Sequence, residues 1–124
     1  MSSLLIATIL SVNNACDRKG DARAGRRTLG ILLGTRGAAR AILLQAALTL
    51  ALALVLIPLG VLPRAAVVPI VLAGAFGART LAQMHRRGYS PADKAAAMGA
   101  VSAVFVVYTL AILAGIAMRA WGLR

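Results

Sequence analysis

Long apolar runs alternate with short polar stretches along the chain. Four apolar segments can be distinguished, at residues 4–16, 38–62, 65–77 with an extension to about 84, and 95–118. A helix rises 1.5 Å per residue, so about 20 apolar residues are needed to cross the ~30 Å hydrocarbon core of a bilayer. The first segment, with about 13 residues, crosses only some two-thirds of it. The pattern predicts an all-α integral membrane helix bundle with about four transmembrane segments, the first one truncated.

Capping and helix-breaking residues mark the ends of these segments. Thr35 can cap the start of the second segment, and Pro58 and Pro63 close it. Ser90 or Asp93 can cap the start of the fourth segment. The polar stretches between the segments are therefore predicted to be loops at the membrane surface.

The composition indicates a membrane protein and argues against nucleic-acid binding. Hydrophobic residues make up 60% of the 124 residues, and the mean hydropathy is +0.85, well beyond the usage of soluble domains. The formal net charge of +11 would indicate nucleic acid in a soluble protein. Here the basic residues lie between apolar segments, and only 4% of the residues are aromatic. Cationic loops beside lipid head groups, or around a phosphate ligand, explain the charge better.

The basic residues are distributed unevenly between the two ends of the segments. The stretches 17–40 and 79–94 hold eleven of the fourteen Lys and Arg residues, whereas the 62–65 turn and the C-terminal end hold three. Cytoplasmic loops of membrane proteins carry an excess of Lys and Arg. The chain is therefore predicted to be a multi-pass protein of the cell inner (plasma) membrane, with 17–40 and 79–94 on the cytoplasmic side.

Two aspartates at the end of the first segment are the strongest candidates for chemistry. The chain has three acidic residues, and Asp17 and Asp21 lie four positions apart. On a continuing helix they share one face with Asn13, although Gly20 and Gly25 predict an interruption and a turn into a cytoplasmic loop. Carboxylate and amide oxygens are ligands that Mg²⁺ prefers, together with water and substrate phosphate oxygens. The spacing predicts a magnesium site that holds a phosphate at the membrane surface.

Five basic residues surround the aspartates, namely Arg18, Lys19, Arg23, Arg26 and Arg27. Arginine can hold diphosphate oxygens in a bidentate manner, and lysine can act on them as a point charge. Two simpler interpretations stay open. The aspartates can pair with neighbouring basic residues in a solvated loop, and arginines beside a span can serve only to set its topology.

A longer string around the aspartates resembles a known family. It reads Asn13-Asn14-x-x-Asp17-x-x-x-Asp21-x-x-x-Gly25-x-x-Thr28-Leu29-x-x-x-Leu33-Gly34. This string resembles the second aspartate-rich motif of the UbiA superfamily of intramembrane aromatic prenyltransferases. The paired asparagines and the basic-Thr-Leu … Leu-Gly ending are most similar to the 1,4-dihydroxy-2-naphthoate polyprenyltransferase (MenA) branch.

The resemblance implies a bundle of about nine helices, in which two aspartate motifs face each other across a central cavity and bind a polyprenyl diphosphate through Mg²⁺. The diphosphate leaves, and the aromatic ring of 1,4-dihydroxy-2-naphthoate attacks the allylic carbocation with loss of CO₂, as a step of menaquinone biosynthesis. Carried over by position, Asp17 and Asp21 would bind Mg²⁺, and Asn13 and Asn14 would shape the same site. The diphosphate would be bound by three cations, Lys19, Arg23 and Arg27.

The chain departs from the family pattern in one respect. A first aspartate motif should lie well upstream of the second, but the only other acidic residue is Asp93. Residues 1–124 are therefore predicted to be the C-terminal part of a UbiA-type domain, with residues 17–36 as its cytoplasmic aspartate-motif loop. An N-terminal half would be its partner, and the chain alone is expected to be inactive.

Two other functions were weighed against prenyl transfer. A CDP-alcohol phosphatidyltransferase would need two further aspartates and an Asp-Gly pair in the same stretch, and these are absent from the sequence. A small cationic membrane protein that acts in assembly, without catalysis, is compatible with a chain of this length. Mg²⁺-dependent binding of a prenyl diphosphate separates the three, since only the prenyltransferase requires it.

Overall fold

The computed structural model describes residues 2–122, and this part of the chain is helical without any strand. Its elements are α1 (Ser2–Cys16), α2 (Arg18–Arg23), α3 (Leu29–Val55), α4 (Val67–Arg87) and α5 (Lys94–Ala120), with a short 3-10 turn (Arg64–Ala66) before α4. The predicted all-α class is confirmed. Arg124, which was counted with the less basic end, lies outside the described residues.

Three helices are long and apolar enough to cross a membrane, namely α3, α4 with the turn that precedes it, and α5. Helix α1 is also apolar, but its 15 residues are about 22 Å long, less than the ~30 Å of a hydrocarbon core. The predicted membrane helix bundle, with three full segments and one shorter segment, is confirmed. Only about a third or less of each long segment is buried within the chain, so most of its apolar surface is left for lipid or further helices.

Helix α3 differs from its prediction at both ends. It begins at Leu29 and ends at Val55, whereas the apolar pattern gave residues 38–62. The predicted cap at Thr35 is wrong, because Thr28 precedes the first turn. Gly34 nevertheless interrupts the helix with φ 64° and ψ −177°, a conformation that essentially only glycine adopts. The break divides α3 into a short first part, residues 29–33, and a long second part that begins at Thr35.

The four longest helices, α1, α3, α4 and α5, form a closed ring. Helix α1 packs against α3 and α5, and α4 packs against the same two helices. Lys94, at the start of α5, contacts Asp17 at the end of α1, and Arg119, near the end of α5, contacts Gly60 in the turn between α3 and α4. The helices therefore run up and down in alternation. The C-terminus of α1, helix α2 and the start of α5 meet at one end of the bundle.

The buried side chains form one apolar cluster at this end and further clusters along the ring. The first cluster joins all four long helices and includes Val12, Ile42, Leu81 and Val101. Because α1 is clamped by residues of α3, α4 and α5, the direction in which its last turn points is fixed by the whole bundle rather than by local sequence.

Candidate functional site

The aspartate motif lies where α1 passes into α2. The backbone N–H of Asp17 donates to the carbonyl of Asn13 at 3.0 Å, and that of Asp21 donates to the carbonyl of Asp17 at 2.9 Å. These bonds keep the helical spacing through the motif, as predicted. The interruption falls at Asp17 itself, with φ −96° and ψ 6°, and not at Gly20 as expected. Gly25, with φ +70°, ends this short helical stretch at the predicted place.

The motif is thus partly helical, although the sequence predicted a loop over residues 17–36. Helix α2 and the first turn of α3 cover most of that range, and only residues 24–28 link them. A six-residue helix is too short to be stable by propensity, so its form depends on the contacts of α2 with α1 and α3. Asp21 is thereby held against the bundle, whereas residues 22–27 are exposed.

Asp21 is the most buried charged residue of the motif, with 5% of its surface exposed. One of its oxygens, Oδ1, accepts a hydrogen bond from Nη1 of Arg26 at 3.0 Å, and the Arg26 side chain is itself 70% exposed. A carboxylate in such a place requires a hydrogen-bonded or charged partner, because unpaired burial of a charge is costly. One exposed arginine supplies that partner here, and Oδ2 has no hydrogen bond within residues 2–122.

Asp17 is paired with a lysine that lies far from it in the sequence. Its Oδ2 lies 2.6 Å from Nζ of Lys94, which is 77 residues later, and both side chains are 36% exposed. Neighbouring basic residues were the expected partners, and Lys94 was not among them. One signal was available, since Lys94 belongs to the basic stretch 79–94 that was predicted on the same membrane side.

The other predicted site residues lie around this pair. Asn13 and Asn14 are half-buried in the last turn of α1. The three cations expected to bind the diphosphate, Lys19, Arg23 and Arg27, are exposed, and their side chains make no hydrogen bond or ion pair with the part of the chain that the structure describes. The two aspartates thus lie at the end of α1 and in α2, each with its own basic partner, and the three predicted cations are exposed in the same segment.

Gly30 places α3 directly against the motif, and the sequence analysis did not single it out. A Cβ atom built on Gly30 would lie 2.7 Å from the carbonyl oxygen of Asn14 and 3.0 Å from its carbonyl carbon. Real Cβ atoms do not approach backbone this closely, so only glycine permits the contact. The α1–α3 contact thereby fixes the turn that carries Asn13 and Asn14.

The model of the UbiA prenyltransferase family matches residues 1–100 of the chain. The chain belongs to this family. A search of curated proteins and a search of solved structures each found no match. The matched range contains the aspartate motif, helices α1 to α4 and the start of α5 with Lys94. Membership supports an enzyme of the prenyltransferase kind, acting in a membrane on prenyl diphosphate and aromatic substrates.

UbiA prenyltransferases generally depend on a divalent metal, and the oxygen atoms of this site suit one. Within residues 2–122, no group of three or more His, Cys, Asp or Glu side chains could hold a metal by itself. Mg²⁺ commonly takes only one or two carboxylates and completes its shell with water and substrate phosphate. Asp17 and Asp21 offer two carboxylates of this kind, one helical turn apart.

Two buried hydroxyl groups at this end of the bundle have no hydrogen-bond partner in the described structure. They are Oγ1 of Thr28, at the start of α3, and Oη of Tyr89, in the α4–α5 connection. Burial raises the pKa of the Tyr89 hydroxyl, with a further small contribution from nearby Cys16, so this group stays protonated. Both hydroxyls are available to a ligand that reaches them.

An apolar cavity of about 240 Å³ lies at the centre of the UbiA bundle. Each of the four long helices contributes to its wall, for example through Leu5, Leu50, Gly77 and Tyr108. Gly74 and Gly77 help to keep it open, because a Cβ atom at either position would come within 3.4 Å of neighbouring side chains. The cavity can accept a hydrocarbon group, and its only polar lining atoms come from hydroxyls and backbone.

Proposed function

We propose that this chain contributes one aspartate motif of an intramembrane enzyme that transfers a polyprenyl group from its diphosphate to 1,4-dihydroxy-2-naphthoate, in menaquinone biosynthesis. The observation that carries the proposal is the pair Asp17 and Asp21, held at the end of α1 in a member of the UbiA family. The choice of the naphthoate acceptor rests on the paired asparagines and the Thr-Leu and Leu-Gly positions that follow.

Asp17 and Asp21 would hold Mg²⁺, with Asn13 and Asn14 shaping the same site. A bound Mg²⁺ would neutralise charge that develops on the departing diphosphate. Lys19, Arg23 and Arg27 would bind the outer diphosphate oxygens, for which their exposure is suitable. Cationic groups placed where charge develops in the transition state contribute most to such a reaction.

The apolar cavity would receive the isoprenoid chain of the donor. Its wall is built by all four long helices, so a chain bound there is shielded from water. Exclusion of water matters for this chemistry, because an allylic carbocation would otherwise be hydrolysed. The first isoprene unit would then lie between the cavity and the aspartate motif.

The proposal includes a second acidic motif supplied from outside residues 1–124. Asp93, the remaining acid, is engaged with Ser90, whose hydroxyl donates to Oδ2 of Asp93 at 2.6 Å. We place the motif on the cytoplasmic side of the plasma membrane, because the basic stretches lie at its end of the bundle. Soluble diphosphates and Mg²⁺ are available on that side.

Binding of farnesyl diphosphate to the purified chain tests the metal and donor parts of the proposal. We expect saturable binding by isothermal titration calorimetry in detergent with Mg²⁺, and its loss on addition of EDTA. Farnesol, which lacks the diphosphate, is the matched control and should bind equally with and without Mg²⁺. Binding of farnesyl diphosphate that is unaffected by EDTA would contradict the proposal and favour a non-catalytic membrane protein.

The acceptor is tested in cells by deletion of the coding sequence. We expect loss of prenylated naphthoquinones and accumulation of unprenylated naphthoate, with prenylated benzoquinones unchanged, by mass spectrometry of lipid extracts. An unchanged naphthoquinone profile would exclude the naphthoate acceptor. In vitro, the purified chain alone should yield no prenylated product, and product formation would contradict an external second motif.

Replacement of Lys94 should change the metal requirement of the site. Nζ of Lys94 lies 2.6 Å from Oδ2 of Asp17 and competes with a cation for that oxygen. We expect Lys94→Gln to lower the Mg²⁺ concentration for half-maximal farnesyl diphosphate binding by about fivefold, which corresponds to ~1 kcal/mol, the upper range for an exposed ion pair. Lys94→Arg keeps the competing charge and should retain the wild-type requirement. An equal requirement in all three proteins would show that Lys94 does not compete.

A further inference from the structure

An open pocket of about 610 Å³ lies at the end of the bundle opposite the aspartate motif. It is formed by the turn between α3 and α4 and by the end of α5, and its wall includes Ile57, Leu62, Pro63, Arg64 and Arg119. Its chemistry differs from that of the central cavity, because two arginines line it beside apolar side chains. The prenyl-transfer site makes no use of it.

Arg119 is fixed at the pocket by neutral groups only. Its Nη1 donates to the carbonyl oxygens of Gly60 and, at 2.6 Å, of Val61. A guanidinium has five N–H donors, so the Nε and Nη2 donors remain. These have no partner within the described residues. The arginine is thus positioned by the turn but keeps its charge and most of its donors for another group.

Arg64 brings a second positive charge to the same pocket. It begins the 3-10 turn after Pro63, it is exposed, and its side chain makes no hydrogen bond or ion pair with residues 2–122. The three acidic residues of the chain all belong to the opposite end, in the aspartate motif and at the start of α5. Among residues 2–122, no carboxylate lies at the pocket to balance its two cations.

The surroundings of the pocket are those of a membrane interface. It lies where α3 and α5 leave their apolar stretches, and Trp121, which ends α5, is 86% exposed. Tryptophan is enriched at the level of the lipid head groups. The turn also exposes Leu59 and Val61. A ligand here can place a charged group between the arginines and hydrocarbon along the turn.

We propose that this pocket binds the phosphate of an anionic phospholipid. Arg64 and Arg119 contact the phosphate oxygens, since a guanidinium matches that geometry in a bidentate manner. The acyl chains lie against the exposed apolar residues of the turn and the adjoining helix ends. Free phosphate offers the same oxygens to the arginines but no acyl chains, so the two ligands are separable by experiment. The site is independent of the proposed prenyl transfer.

Native mass spectrometry of the full chain in detergent, titrated with phosphatidylglycerol, tests the site. We expect one tightly retained phosphatidylglycerol per chain and weaker retention of zwitterionic phosphatidylcholine. Arg64→Gln should weaken phosphatidylglycerol binding about fivefold, since an interfacial cation contributes ~1 kcal/mol toward an anionic lipid. Arg86→Gln, an exposed arginine at the opposite end, is the control and should bind as the wild type does.

Arg119→Gln should weaken phosphatidylglycerol binding further, but it also removes the hydrogen bonds to the carbonyl oxygens of Gly60 and Val61. Thermal unfolding followed by circular dichroism therefore accompanies each variant, and Arg64→Gln, which breaks no internal contact, decides the outcome. Equal binding by wild type and Arg64→Gln would overturn the proposal. Displacement of phosphatidylglycerol by millimolar inorganic phosphate, together with equal retention of phosphatidylglycerol and phosphatidylcholine, would also overturn the proposal. The pocket would then be assigned to free phosphate.

Discussion

Asp21→Asn should abolish Mg²⁺-dependent binding of farnesyl diphosphate while leaving the protein folded. The substitution keeps the shape of the side chain and removes the charge of the more buried of the two carboxylates. Arg26, its partner, is 70% exposed and can be solvated when the pair is lost, so no buried charge is left uncompensated. We expect an affinity at least about 100-fold lower, which corresponds to ~2.7 kcal/mol.

Asp93→Asn is the matched control, because Asp93 is the third acid of the chain and belongs to the same end of the bundle. Its side chain makes no capping hydrogen bond to α5, and asparagine keeps an oxygen that can accept from the Ser90 hydroxyl. Its binding should equal that of the wild type. If Asp21→Asn bound farnesyl diphosphate with wild-type affinity and metal dependence, Asp21 would not be a metal ligand. The ion pair with Arg26 would then account for its burial.

Gly30→Ala should destabilise the bundle and disturb the motif together. The new methyl group would lie 2.7 Å from the Asn14 carbonyl oxygen, and this neighbour is backbone, so α1 and α3 must separate. Overpacking of this kind costs about 1–3 kcal/mol, which should lower the melting temperature by roughly 5–10 °C. Circular dichroism during heating in detergent measures the first effect, and farnesyl diphosphate binding measures the second.

Gly99→Ala provides a matched comparison within α5. A Cβ atom at Gly99 would meet nothing within 4 Å, and alanine favours a helix over glycine by about 1 kcal/mol. The variant should melt at or above the wild-type temperature and bind normally. Similar melting of Gly30→Ala and Gly99→Ala would show that the close approach of α1 and α3 is absent in the protein.

The number of apolar segments and the helical spacing of the aspartates could be predicted because both depend on short-range properties. The length of an apolar run decides whether it can span a membrane, and a spacing of four residues decides whether two side chains share a helix face. Asp17 and Asp21 accordingly keep their helical spacing in the structure. The three cations predicted to bind the diphosphate, Lys19, Arg23 and Arg27, are exposed in the same segment.

The partner of Asp17 could not be predicted, because it depends on how the helices pack. Lys94 reaches Asp17 only since α5 packs against α1, and no feature of either neighbourhood specifies that pairing. The burial of Asp21 is equally unexpected for a carboxylate among five basic residues. Helix α2, which carries Asp21, packs against α1 and α3, and these contacts join segments that are separate in the sequence. The helical turns within residues 17–36 also depend on such contacts, since an isolated six-residue helix is unstable.

The contact between Asp17 and Lys94 has a consequence for the order of events during synthesis. The two residues are separated by 77 positions, so the aspartates leave the ribosome long before their lysine partner is made. An unfinished chain already inserted through α3 and α4 would carry both carboxylates without the helix that closes the ring against α1. Maturation of this end of the protein is therefore coupled to insertion of α5, and a chain arrested before α5 would expose an aspartate motif that has not reached its final arrangement.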